Sequence, residues 1–394
     1  MTLREYFPVY VRDYGANNWG DSYYTDVTRT YREYIEPSEL ADLLLRDIRT
    51  SDLDHYYTKL LSTPAVVRKG HKDTGKTVGY SAIEKIHRIL SGAFTQAVKW
   101  EYIPKNPAAN ATVPKKEHTP REVWTPQEAA MALNACTDKT LKCCMLIALG
   151  CSTRISEILG LQWDCVDLDA DTPTIRIGQQ LRRCSKDAIE KTNAKERCKV
   201  KFIFPEQKQA SDCTTVLTLK VPKSRAGMRT LYLPQTVADA LRELKSEQDA
   251  HKAKFAAIYN DFDMVFAWPN GYPVEGRIID QRFKALIKSA GLPEVVFHSL
   301  RHLSSSMKLE LSGGDIKAVQ GDTGHSQSKM VTDLYSHTFD ANRKRLAGLM
   351  ETSFFRPEPA QEDGSLNEIV SLLRSNPDMA ELFLPVIKKA AGQG

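Results

Sequence analysis

Between Ser81 and Trp100 the apolar side chains Ile83, Ile86, Leu90, Phe94 and Ala97 recur at three- and four-residue intervals, and Lys85, Arg88 and Lys99 occupy the other faces. That period predicts an amphipathic helix. Its apolar side needs partners, and further helices are predicted near Pro37–Asp47 and Asp52–Leu61, with Asn106-Pro107 closing a first helical unit at about residue 111. Residues 112–124 are polar and basic and carry two prolines, as an extended linker does. Thr125, Pro126 and Glu128 form a capping box with proline at the first helical position, so a second unit begins there and runs to about residue 355. Within it, Thr174–Ile177, Thr215–Val221 and Met228–Leu233 are rich in β-branched or apolar residues, and Ser224–Gly227 reads as the turn of a hairpin joining the last two. A basic insertion of about residues 178–214 separates the first two strands. The rest of the second unit is helical, and a tail of 356–394 shows apolar residues at helical spacing, including Ile369, Leu372, Leu373, Leu382 and Ile387, enough for two short helices. The expected fold is mainly α with a small antiparallel β-sheet, of the α+β class.

Composition narrows the setting. A chain of 394 residues, 42% hydrophobic and 26% charged, suits two or three globular domains with ample core. No apolar run approaches the length of a membrane span, and MTLREYFPVYVRDYG lacks the basic start and apolar stretch of a secretory signal, so a cytoplasmic location is expected. Eight cysteines fit free thiols in a reducing compartment: Cys143 and Cys144 are adjacent in an apolar helical stretch, and the wide separation of Cys184, Cys198 and Cys213 speaks against a zinc site. The net charge of +5 is mild, but its distribution is uneven. Arg176–Arg229 holds fourteen Lys and Arg against five Asp and Glu, which makes it either a phosphate-tracking surface or a solvated loop.

Six residues carry candidate chemistry: Arg154, Lys223, His298 and Arg301 in His-Ser-Leu-Arg-His, His325 in Gly-His-Ser, and Tyr335. Two guanidinium groups can pin one phosphate from two sides, because each presents a planar, permanently charged fork of donors. Phosphoryl transfer asks a protein mainly for positioning and for donors aimed at the nonbridging oxygens, a task that suits Arg154, Arg301 and His325. A phenol titrates near pH 10 unaided, so Tyr335 as nucleophile needs a proton acceptor or a positive field, and His298 can serve. A lysine on a hairpin lip, such as Lys223, can protonate a leaving oxygen. Each residue also has a plainer reading. Arg154 and Glu157 are spaced as an ordinary helix ion pair, although Glu157 can equally orient Arg154 for a ligand. His298 with Arg301 can be a core histidine beside a surface arginine, with His302 structural; Tyr335 can be a core aromatic, and Lys223 or nearby Lys220 a solvated lysine. The apolar stretch LKCCMLIALG before Arg154 favours a pocketed charge.

The segments GCSTRISEILGLQW (150–163), VPKSRAGMRTLYLP (221–234), HSLRH (298–302) and GHSQSKMVTDLYSH (324–337) resemble, in order, those of tyrosine recombinases of the phage and conjugative-element integrase type. Thr323 stands where an aliphatic residue is usual and Thr153 where leucine is frequent. The resemblance implies a helical core-binding domain followed by a catalytic domain, a 3′-phosphotyrosine on Tyr335 with a free 5′ hydroxyl, and strand exchange without metal or nucleotide cofactor. It assigns phosphate binding to Arg154 and Arg301, general acid to Lys223, proton handling to His298 and a phosphate hydrogen bond to His325. No Walker sequence is present, as a reaction that conserves bond energy in a phosphotyrosine ester requires none. The implied partners are double-stranded DNA attachment sites, other copies of the chain in a tetramer, and an accessory directionality factor, with no membrane. In the family a C-terminal helix often docks on a neighbouring protomer, and nothing in the sequence resembles the arm-binding domain that many integrases carry. Arg68, Lys69, Lys72 and Lys76 in a basic loop, Lys85, Arg88 and Lys99 on the long helix, and Lys115 and Lys116 in the linker are candidate DNA contacts, with plain solvation the alternative. A type IB topoisomerase would use nearly the same residues to relax supercoils, and a noncatalytic DNA-binding regulator would need only the basic surface.

Overall fold

The computed structural model describes residues 1–67, 73–115, 122–192, 200–206, 213–222, 227–324, 347, 348 and 350. Arg68, Lys69, Lys72, Lys116, Lys223, His325, Tyr335 and the tail 351–394 lie outside the described residues. By compactness Met1–Val331 forms one unit and Thr332–Gly394 a second, and nearly everything described belongs to the first.

The first core begins with α1 (Leu3–Val9), whose Thr2/Glu5 capping box satisfies its leading N–H groups. Pro8 sits inside this helix and has no N–H to offer the Arg4 carbonyl; the Tyr31 hydroxyl donates to that carbonyl instead, at 3.2 Å. The chain continues in a π-helical stretch (Tyr10–Gly15), α2 (Ala16–Asn18) and α3 (Asp21–Thr30). Rings fill the space between them: Phe7 stacks on Tyr31 with centroids 4.2 Å apart, and Tyr10 meets Trp19 edge-on at 5.1 Å. α4 (Thr50–Ser62) and α5 (Tyr80–Lys99) follow the predicted pattern, and α5 buries Ile83, Ile86, Leu90, Phe94 and Ala97 as its period requires. The helix expected over Pro37–Asp47 does not form. Only a 3₁₀ turn, Glu39–Asp42, appears there, because the next residues are used in a strand-like contact: Leu3 N–H donates to the Leu43 carbonyl and Leu45 N–H to that of Met1.

The second core starts at Trp124, whose indole N–H donates to the Pro293 carbonyl at 2.9 Å. α6 (Pro126–Ala135) opens with the predicted Thr125/Glu128 capping box. α7 (Lys139–Cys151) is apolar on most of its circumference and is buried accordingly. After α8 (Ile155–Ile158) come β1 (Val166–Asp167), β2 (Thr174–Ile177), β3 (Gln180–Ser185), α9 (Lys186–Lys191), β4 (Val200–Ile203), β5 (Thr215–Lys220) and β6 (Arg229–Tyr232). The helices α10 (Gln235–Lys254), α11 (Gly276–Ala290), α12 (His298–Leu311) and α13 (Ile316–Thr323) complete the described part, with α10 and α12 packed on α7. The described cysteines are free thiols, and among the described residues no helix is long and apolar enough to cross a membrane.

The strands form two sheets where the sequence suggested one. β2 pairs β1 and β6, whereas β5 pairs β3 and β4, all antiparallel. β5 and β6 therefore do not pair as a hairpin. The reason lies in the insertion, which supplies β3 and β4 as flanking partners and draws β5 into a sheet of its own. Gly160, just past α8, permits the close approach that seats this sheet: a Cβ there would stand 2.8 Å from the Gln180 Cα.

The insertion also grips the first core. Its helix α9 and strand β3 pack on α3, Ala188 is buried among the first core's apolar residues, and at the end of β5 the Lys220 ammonium forms a buried ion pair with Asp21. Lys220 is thus an internal residue and no part of a basic surface. Burial alone would raise the Asp21 carboxyl, but hydrogen bonds from Cys184 and Lys220 outweigh it and hold Asp21 below the usual carboxylate range. Removing one partner of such a pair strands a charge in the interior, so Lys220→Met is expected to lower stability by about 3 kcal/mol in urea unfolding, and Asp21→Leu in the same chain to restore much of it. Because the folded pKa of Asp21 lies below the unfolded value of about 3.9, its contribution is complete above that value and disappears as pH falls through the folded one. Wild-type stability should show this acid-side decline below about pH 4, and the double variant should show less of it.

Candidate active site

Four elements converge at the end of α7. The chain leaves that helix through Ser152, a fully buried, non-glycine residue in the left-handed conformation (φ 51°, ψ 37°). Such a backbone costs about 1–2 kcal/mol and is held here by packing and by a 2.6 Å hydrogen bond between the hydroxyls of Ser152 and Ser304 on α12. The bend sends the Ser152 carbonyl toward α12 and brings Arg154 out as the N-cap of α8.

Glu157, three residues on and 4% exposed, returns its carboxylate to this cap. Its Oε2 accepts from the Arg154 backbone N–H at 3.1 Å and its Oε1 from the Arg154 guanidinium at 2.7 Å. The expected surface ion pair does exist, but its acid is interior, and the Arg154 side chain remains about one third exposed. Oε2 also accepts from the guanidinium of Arg229 on β6, at 2.9 Å. Burial would raise the Glu157 carboxyl, yet Arg229 first and then Arg154 hold it below the ordinary carboxylate range.

Arg301 is the fourth residue of α12 and only 1% exposed. It donates to the Ser152 carbonyl at 2.6 Å and to the Thr323 carbonyl at the end of α13 at 2.7 Å, so one guanidinium ties the turn before Arg154 to the turn before His325. Burial pushes it down to about 9, with Arg154 and Arg229 adding to the fall and Glu157 opposing it. It stays cationic at neutral pH. Three guanidinium groups thus face one carboxylate in a largely dehydrated setting, an arrangement that attracts a further anion.

His298, the first residue of α12, is exposed one helical turn before Arg301, with its ring edge-on to His302 at 4.7 Å between centroids. Arg154, Glu157, Arg229 and Arg301 are thus gathered around the end of α7, with His298 at the start of the helix that carries Arg301. α13 ends at Gly324 in the left-handed cap (φ 63°), where a side chain would be strained. The expected site residues Lys223, His325 and Tyr335 lie outside the described residues; in sequence, Lys223 stands three positions after the end of β5 and His325 follows Gly324 directly.

Arg229 closes the basic stretch 176–229, where charge alone suggests a surface residue and hides its place in this cluster. Its register offered the clue: it alternates with buried Leu231 on β6, so both point inward. Of the basic stretch, Arg183 pairs with Glu275, Lys186 with Glu206 and Lys191 with Asp187, leaving Arg176, Arg182 and Lys201 as exposed described cations of another kind. Among the other candidate DNA contacts, Lys76, Arg88, Lys99 and Lys115 are exposed, whereas Lys85 is engaged by Asp26 at 3.0 Å.

Such a cluster, on a mainly helical scaffold with small antiparallel sheets, suits a protein that handles phosphates. The family described as "Phage integrase family" matches residues 122–342, more than half of the chain, and the chain belongs to that family, the tyrosine-type site-specific recombinases. A tyrosine recombinase XerC-like protein of Caldanaerobacter subterraneus subsp. tengcongensis is 26% identical over 316 residues, covering 78% of this chain and 72% of that one. Among solved structures, the Tn1549 transposon integrase in complex with transposon right end DNA superposes with a TM-score of 0.67 at 22% identity, covering 89% of this chain and 99% of that one. A lambda integrase tetramer bound to a Holliday junction gives 0.55 at 16% identity, covering 85% and 77%. At these identities the structural likeness bears on the fold.

Proposed function

We propose that this recombinase integrates or excises a mobile element in the cytoplasm by cutting and resealing its attachment sites, acting as a tetramer on double-stranded DNA with an accessory directionality factor. The observation that carries the reading is the placement of Arg154 and Arg301 on either side of the Ser152 turn, with Glu157 orienting the first and His298 exposed one helical turn before the second. A phosphodiester entering there meets donors from both arginines, which stabilise charge building on its nonbridging oxygens. Tyr335 attacks phosphorus as His298 handles the phenolic proton, His325 donates to a nonbridging oxygen, and the bond from phosphorus to the 5′ oxygen breaks. Lys223 gives the departing oxygen its proton. The product is a 3′-phosphotyrosine with a free 5′ hydroxyl, and attack by the 5′ hydroxyl of another strand reverses the step to complete exchange. Lys76, Arg88, Lys99 and Lys115 contribute phosphate contacts that position the duplex. The names of the relatives, integrases and XerC-like recombinases, support the same reading.

The test uses supercoiled plasmids carrying the joined ends of the element that encodes the chain. Recombinant circles together with a covalent protein–DNA adduct are expected. Relaxed topoisomers without recombinants would instead indicate a topoisomerase, and binding without any adduct a noncatalytic regulator.

A further inference from the structure

We propose that Arg229 is a positioning residue of strand cleavage, setting Arg154 through the Glu157 carboxylate and the end of α13 through the Asp322 carbonyl. This rests on the reading above.

Its guanidinium spans two anchors. One nitrogen donates to Glu157 Oε2 at 2.9 Å, the other carboxylate oxygen being engaged by Arg154, and Nε donates to the Asp322 carbonyl at 2.7 Å. A third bond, to the Gly227 carbonyl at 3.1 Å, fixes the guanidinium to the start of its own strand. The Arg229 side chain is 7% exposed, and the three bonds it makes are all to groups of the protein. The next carbonyl along α13, that of Thr323, is held by Arg301. Two interior arginines on separate elements therefore fix consecutive carbonyls at the end of the helix that leads into His325. Lys308 on α12 adds an ion pair to the Asp322 side chain, bracing the same residue from a third direction.

The geometry explains why this position needs arginine. One planar fork has to meet a carboxylate and a carbonyl on different elements at once, which a lysine ammonium on its flexible stem cannot reproduce. Without Arg229 the Glu157 carboxylate keeps only its bonds from Arg154, so the Arg154 guanidinium is less firmly set, and the end of α13 loses one of its braces. Misplacement of a phosphate donor by about 1 Å is enough to lower a rate about 100-fold.

Covalent capture of a nicked duplex attachment site is the readout, using the full chain. The wild-type chain and Tyr335→Phe are scored first: a Tyr335-dependent adduct establishes strand cleavage, and its absence overturns that reading and this proposal together. Given the adduct, Arg229→Met is expected to slow capture about 100-fold with DNA affinity little changed, and Arg229→Lys, which keeps the interior charge and guards against a folding defect, to recover only part of it. Glu157→Gln combined with Arg229→Met should lose scarcely more than either alone. A pH profile separates positioning from scaffolding. Glu157 is faced by Arg154 from its own helix cap, Arg229 from β6 and Arg301 from α12, and removal of Arg229 lets burial raise its carboxyl. Capture by Arg229→Met should therefore fail at a higher pH on the acid side than capture by the wild type, and Glu157→Gln should erase that displacement. An unchanged profile with losses that multiply in the double variant would overturn the proposal while leaving strand cleavage by Tyr335 intact.

Discussion

Tyr335→Phe is expected to abolish covalent capture of a nicked or phosphorothiolate attachment site while leaving DNA affinity nearly intact. The asymmetry follows from chemistry. The substitution removes one oxygen, the atom proposed to form the bond to phosphorus, and no water can replace it in a reaction whose product is a protein–DNA ester. Affinity for DNA comes instead from neutralised phosphates and released counterions, to which a neutral phenol contributes little. Electrophoresis in denaturing gel measures the adduct and a mobility shift measures binding. Undiminished adduct would remove Tyr335 from the nucleophile's role.

Arg301→Lys is expected to reduce single-turnover capture by about 1000-fold or more, the scale found when a transition-state guanidinium is lost from phosphoryl transfer. A lysine keeps the charge but cannot hold the Ser152 and Thr323 carbonyls while presenting further in-plane N–H donors to a phosphate. The same substitution should lower stability by about 1–3 kcal/mol, because one of the two interior carbonyls loses its donor. The two effects are separable: thermal unfolding reports the second, and capture measured well below the variant's Tm reports the first. A capture defect that vanishes once unfolding is accounted for would make Arg301 a structural brace only.

Local signals were legible in the sequence and long-range pairings were not. The period of Ile83, Ile86, Leu90, Phe94 and Ala97 specifies α5, and Thr125 with Glu128 specifies the start of α6, because both are decided within a few residues. Arg154, His298 and Arg301 stand out by motif; the structure places Arg154 just after the Ser152 turn whose carbonyl Arg301 holds, and His298 one helical turn before Arg301. The segment Leu43–Leu45 was misread as helix because its partner, Met1–Leu3, lies some forty residues away. The two strands flanking Lys223 look like a hairpin because they are adjacent in sequence and separated by residues of turn type, yet β5 takes β3 and β4 as neighbours and β6 takes β2. Lys220 and Arg229 were placed on a basic surface because charge alone does not reveal an interior carboxylate contributed by residue 21 or residue 157. Interior ion pairs between distant segments leave only a faint trace in sequence, the inward register of a strand position.

The chemistry is tested most directly by identifying the amino acid and the DNA end that join. After trapping on an attachment site and digestion, peptide mass spectrometry should find the nucleotide remnant on Tyr335, linked through a 3′ phosphate, with the other strand end carrying a free 5′ hydroxyl. A remnant on any other side chain, or a linkage through a 5′ phosphate, would contradict the proposed convergence of Arg154, Arg301 and the Tyr335 phenol on one scissile bond.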